Sequence, residues 1–390
     1  MKIVKLLIAG AALLFSTDGT TTIFLPGETG NKSTTQLQNS EYDHPRGNTV
    51  KIALLLDTSN SMDGLIRQAK AQLWDIVNKF TYAKCGTGEK PNLQIALYQY
   101  GNDGLPSQEG YLQQVIGFTS DLDLLSEKLF SLTTNGGEEF CGKVIHTAVR
   151  QLNWGKNEDH LKMIFIAGNE PFTQGKLDYR NAVGNAKEKD IIINTIFCGE
   201  YHLGIRTGWK NGADLGGGDY LTIDHNRRIV HIKTPYDDII LKLNKQLNRT
   251  YISYGAQGAH KMAMQETQDQ NAESLNEVVA VKRAVSKSSS IYNNSSWDLI
   301  DAADDAEFEV DKLRKEDLPP ELKGKSSREI EHFIQTKKAE RQRIQSEIQD
   351  LNVKREAFIS DRKQSEKGEL ENAMLKAIEK QGARKNIRWE

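Results

Sequence analysis

Cysteine is scarce in this chain, with three among 390 residues. Cys85, Cys141 and Cys198 form no CxxC pair and no Cys/His cluster, which argues against a structural zinc site. The catalytic signatures are missing too. There is no GxSxG elbow, no HExxH and no P-loop GxxxxGK[ST] motif. Neither His146 nor His202 has a second histidine at helical spacing. Charge of one sign is lacking: the formal net charge is −2, which removes any whole-chain electrostatic case for nucleic acid. Long apolar runs are absent beyond one short stretch near the N-terminus, and no internal repeat is evident. At 38% the hydrophobic content is below that of a typical globular chain, so the shortfall is expected to be concentrated in a polar segment.

What is present begins with Lys2 and Lys5, followed by an apolar run over residues 6–15 and a polar stretch. That pattern reads as a signal peptide at residues 1–19. Export to the periplasm or outside the cell is expected, or tethering by an uncleaved segment. Residues 20–47, rich in Thr, Ser, Asn and Gly, read as a linker.

From residue 48 apolar runs alternate with amphipathic segments. Strands are expected at 52–56, 93–100, 111–118, 162–168 and 190–199, with helices at 63–80, 122–132, 142–152, 179–189 and 236–247. A last edge strand is expected in RRIVHIKTP, and GADLGGGDY reads as a loop. Strand–helix alternation gives an α/β fold, a doubly wound and mostly parallel sheet with one antiparallel edge strand. Ligands of such sheets bind beyond the carboxyl ends of the strands, where Asp57, Gly168 and Cys198 stand.

Residues 257–326 read as a polar, partly disordered linker. Residues 327–383 read as a long helix or short coiled coil, with Ile344, Ile348, Leu351 and Phe358 at heptad-like spacing. That extended helical C-terminal region is expected to be solvent-exposed, to add little to the stability of the main domain, and to offer a route to self-association. If the chain is exported, Cys141 and Cys198 are the most plausible disulfide pair.

The most informative stretch is KIALLLDTSNSMDGL. A buried strand ends in Asp57, and Ser59 and Ser61 follow on alternate positions. One carboxylate and two hydroxyls are hard oxygen donors suited to Mg²⁺ or Mn²⁺. The alternative is that Asp57 and Ser59 cap the following helix. Asp57-x-Ser59-x-Ser61 at the end of a first strand resembles the metal-ion-dependent adhesion site of von Willebrand factor type A (vWA) domains. The resemblance covers residues 48–256 and implies a vWA, Rossmann-like fold that binds a protein partner, one able to donate a carboxylate to the metal. It also implies a threonine after a Gly-Gly turn, where TTNGGEEFCG places Glu138 or Glu139. At the end of the fourth strand it implies an aspartate, where IFIAGNEPF has Gly168 followed by Asn169 and Glu170. Glu138 and Glu139 therefore join Asp57, Ser59 and Ser61 as candidate ligands. The function expected is that of a binding module, not an enzyme. The alternatives are a metal-dependent hydrolase with Glu138 or Glu139 as base, or a metal-free interaction scaffold.

Overall fold

The computed structural model describes residues 48–86, 88–224, 226, 232–362 and 369–389. The expected signal peptide and the 20–47 linker lie outside them, as does most of the strand expected in RRIVHIKTP.

Strand β1 (Thr49–Asp57) is buried at all nine positions. Its apolar run is what a central parallel strand needs, since helices cover both faces. Val50, Ile52, Leu54 and Leu56 enter one core, and Ala53 and Leu55 the other. Helix α1 (Asp63–Thr81) follows, then the short β2 (Ala83–Lys84), β3 (Asn92–Tyr100) and β4 (Leu112–Thr119). Helices α2 (Leu122–Phe130) and α3 (Cys141–Gln151) lead to β5 (Leu161–Gly168). Next come α4 (Tyr179–Glu188), β6 (Ile191–Phe197), α5 (Tyr201–Arg206), α6 (Trp209–Leu215) and β7 (Gly217–Thr222). The sheet order is β4-β3-β1-β5-β6-β7, and β4 is the antiparallel strand. The connections reverse direction between β1 and β5, so the crevice of a doubly wound sheet falls at their carboxyl ends. Asp57 and Gly168 are those ends.

Strand β7 occupies part of the stretch expected to be a loop. Glycines hide it from a periodicity reading, and the packing requires them. A Cβ on Gly218 would lie 2.1 Å from the Ile193 carbonyl oxygen, so only glycine lets the two backbones meet.

Residues 257–326 differ most from expectation. After α7 (Asp237–Asn248), they form α8 (Gly258–Leu275), α9 (Glu277–Lys287) and the short α10 (Leu299–Ala302). Val279, Val281, Ala284 and Val285 join the core shared with β1 and α1. The segment looks polar because its charges are buried in pairs. Arg283 meets Asp123 at 2.8 Å and Asp269 at 2.6 Å, and Lys287 meets Asp269 at 2.8 Å. The Arg283 guanidinium also lies over the Trp74 ring, 4.8 Å from its centroid. Paired this way, ionic side chains can sit inside where single ones could not.

The C-terminal helices are not a solvated tail. Helix α11 (Ser327–Asp361) opens with a Ser326/Glu329 capping box. Ile344 and Ile348 are fully buried in the main core, so the heptad-like seam packs on the chain's own domain. Arg341 and Arg355 of the same helix are docking groups. Arg341 bonds Asp298, Asp301 and the Thr250 carbonyl, and Arg355 bonds Asp237. Helix α12 (Glu369–Gly382) lays Met374, Ala377 and Ile378 on the same core. Gln381 exchanges side-chain hydrogen bonds with Asn194 of β6 at 2.6 and 3.1 Å. Strand β8 (Arg388–Trp389) pairs antiparallel with β2. These elements belong to one compact unit with the sheet. Cys85, Cys141 and Cys198 are buried free thiols, and the expected Cys141–Cys198 bridge is not formed.

Candidate metal centre

Asp57 does not cap α1. A 3-10 turn over Asn60–Met62 separates it from that helix, whose N-cap is Met62. Instead the carboxylate organises its own loop: Oδ1 accepts the Ser59 backbone N–H at 2.8 Å. Oδ2 is buried with no hydrogen-bond partner. The Ser59 hydroxyl lies 3.2 Å from that of Ser61, and the Asn169 side-chain N–H donates to Ser61 Oγ at 3.1 Å. Asp57, Ser59, Ser61 and Asn169 thus meet at the mouth of the β1–β5 crevice.

The structure separates the two candidate glutamates. Glu138 is exposed, and Glu139 is buried beside Asp57. Gly101 explains how they come so close. Its φ is +75°, and a Cβ there would fall 2.6 Å from Glu139 Cγ and 2.8 Å from Asp57 Oδ1. The bare α-carbon is therefore one wall of the cradle, and a side chain would fill it. The Gly-Gly turn is held against this wall. Gly137 packs on the Gly101 backbone, and Asn135 N–H donates to the Thr58 carbonyl at 3.0 Å. Phe140, the next residue, sets its ring between Gly175 and the Tyr111 ring.

Burial pushes the Asp57 carboxyl up to about 7, against the lowering effect of its Ser59 bonds and with a further rise from Glu139 and Glu170. Burial and Glu170 push Glu139 to about 7 as well, and its hydrogen bond from the Ser59 hydroxyl only partly offsets this. Each carboxylate is thus held in a place that penalises its charge.

The end of β5 has no carboxylate. A Cβ on Gly168 would lie 2.5 Å from the Tyr100 hydroxyl and 3.0 Å from Asp57 Oδ2. Tyr100 occupies that space, donating to the Ala167 carbonyl at 2.9 Å. Glu170 does not take over the role: its side chain is exposed, and its carbonyl accepts from Trp209 Nε1 at 2.8 Å. Sequence reading missed Tyr100 and Gly101. Their signal lay in LYQYGN, where a bulky polar residue precedes a glycine at a strand end.

Among the described residues no three His, Cys, Asp or Glu side chains form a metal cluster. The assembled oxygen donors are two carboxylates and two hydroxyls, one hydroxyl held by the Asn169 amide. They fit a hard divalent cation: the donors are all oxygen, and one of them, the buried Asp57 Oδ2, has nothing to bind it.

Residues 51–203 match the model of the von Willebrand factor type A domain. No curated protein matches the sequence. Among solved structures, proximal thread matrix protein 1 from the mussel byssus, with a zinc-occupied MIDAS motif, is 16% identical at a TM-score of 0.36, over 46% of this chain and 43% of that one. The SpRpn10 VWA domain is 15% identical at a TM-score of 0.34, over 45% of this chain and 88% of that one. An aerotolerance-related membrane protein from Bacteroides fragilis is 17% identical at a TM-score of 0.31, over 45% of this chain and 92% of that one. The chain spans less than half the length of the mussel protein.

Proposed function

We propose that this chain is an exported interaction module that grips a protein partner at the β1–β5 crevice through a divalent cation, Mg²⁺ or Mn²⁺. Asp57, Ser59, Ser61 and Glu139 would hold the ion, and Asn169 would orient Ser61. The ion would supply an open coordination position for an oxygen donor of the partner. The observation that carries this reading is the buried, unpartnered Asp57 Oδ2 beside a second buried carboxylate. A cation relieves both the missing bond and the mutual repulsion. The vWA match over residues 51–203 supports a binding role, and the pattern over residues 2–15 supports export. Binding is favoured over hydrolysis because Glu139, the base a hydrolase would need, is walled in by Gly101 and bonded by Ser59.

Calorimetric titration of the full chain with Mg²⁺ and Mn²⁺ tests the proposal. Asp57→Ala should abolish binding and leave the fold intact. Glu139→Gln should weaken binding by about tenfold or more, equivalent to about 1.4 kcal/mol, and Glu138→Gln should change it little. No heat with the wild type at millimolar metal would refute the metal reading.

A further inference from the structure

The cradle's charge and its second unpartnered atom bear on what the partner presents. Asp57 and Glu139 together carry two negative charges, enough to neutralise a divalent ion between them. The other charges that act on the pair are again carboxylates, Glu170 and Glu138. A carboxylate from a partner would be a further anion at a centre with no positive charge left to offer, in a buried place where repulsion is weakly screened. This differs from an Asp-x-Ser-x-Ser set with threonine as its next donor, where the ion keeps a net positive charge.

Asn169 adds an independent constraint. Its Nδ2 is committed to Ser61 Oγ, and its Oδ1 is buried with no partner. That oxygen requires a donor. A carboxylate has none to give. A carboxamide or peptide group has both parts, a carbonyl oxygen for the ion and an N–H for Asn169 Oδ1.

Resting on the metal reading above, we infer that the site receives an amide of its protein partner, from a peptide group or an Asn or Gln side chain, in place of a carboxylate. The probes are acetamide and acetate, which have nearly the same shape. Full-length protein is first loaded with Mn²⁺, and uptake is followed by loss of the free-ion electron paramagnetic resonance signal. Relaxation of the probe's methyl protons by the bound Mn²⁺ then reports its approach. Acetamide should saturate the wild-type effect at a concentration about tenfold or more below acetate. N,N-dimethylacetamide, which lacks the N–H, should lose most of that advantage. Asn169→Ala should weaken acetamide without strengthening acetate, and Glu139→Gln should shift preference toward acetate. If the wild type takes up no Mn²⁺, the metal reading falls and this inference with it. If it loads Mn²⁺ and acetate competes equally with acetamide, the inference alone is overturned. Should Glu139→Gln fail to load, the wild-type comparison still decides.

Discussion

Replacing Ile378 by alanine tests whether the C-terminal helix is part of the domain. Ile378 is fully buried on α12, between Met374 and the end of the helix, in the same core as Leu54, Leu56 and Phe165. A cavity of about 20 Å³ already lies beneath α12, lined by these three residues and Met374 among others, so the packing there is not perfectly tight. Truncating a buried isoleucine to alanine costs about 2–5 kcal/mol, the upper part applying where neighbours cannot close the gap. Here the floor is a β-sheet and cannot move in, which places the cost near 3 kcal/mol or above. At roughly 2 °C per kcal/mol for a unit of this size, the melting temperature should fall by about 6 °C. Val353 on α11 is the control, since it is 63% exposed and its change to alanine should stay within about 0.5 kcal/mol. Thermal melts of the full chain, followed by circular dichroism, give both numbers. Equal shifts for the two variants would refute the reasoning. So would a two-step melt in which the helical signal is lost first and the sheet later, because α12 would then be an independent appendage.

Two further outcomes follow from the site. With Asp57 and Glu139 raised to about 7, the metal-free native state binds protons that the unfolded chain has already released above the ordinary carboxylate range. Stability should therefore rise as pH falls from 8 to 6 and be lost as pH climbs through 7, and added Mg²⁺ should raise the melting temperature more at pH 8 than at pH 6; a flat profile would contradict the paired burial. Gly168→Asp should destabilise the fold by about 1–3 kcal/mol, because its Cβ would meet the Tyr100 hydroxyl at 2.5 Å. Tyr100→Phe in the same chain should recover part of the loss, and no recovery in denaturant melts would show that the clash lies elsewhere.

The sheet was legible because burial on both faces forces continuous apolar runs, as at residues 52–56 and 191–197, and helices on its flanks force one-sided patterns. The Asp-x-Ser-x-Ser loop was legible because its donors are local: three residues within five positions make the shape. Two classes of feature escaped. Strand β7 is built on glycines chosen for close backbone approach to Ile193, which leaves no periodic side chains to read. Helices α8 to α12 looked solvated because charge was taken as a sign of exposure. Arg283, Lys287, Arg341 and Arg355 are nearly fully buried, each facing a carboxylate far away in sequence or on another element. Sequence spacing carries no record of such pairs, and a charged residue reads alike whether its partner is water or a buried aspartate.

The same limit explains why the choice between Glu138 and Glu139 stayed open. Both follow the Gly-Gly turn, and local pattern treats them alike. The choice is made by Gly101, which is distant in sequence, and by Phe140, whose ring fits between Gly175 and Tyr111. Fixing Phe140 on that side orients the adjacent Glu139 toward Asp57 and leaves Glu138 in solvent. Where the vWA resemblance implies a carboxylate at the end of β5, this chain has Gly168, and the Tyr100 hydroxyl occupies the adjacent space. Glu139 lies in the cradle against Asp57 Oδ1, on the Gly101 side, whereas an aspartate at Gly168 would have approached Oδ2. Asp57 Oδ2 is left as a buried oxygen without a partner, and that is the atom a bound cation would satisfy.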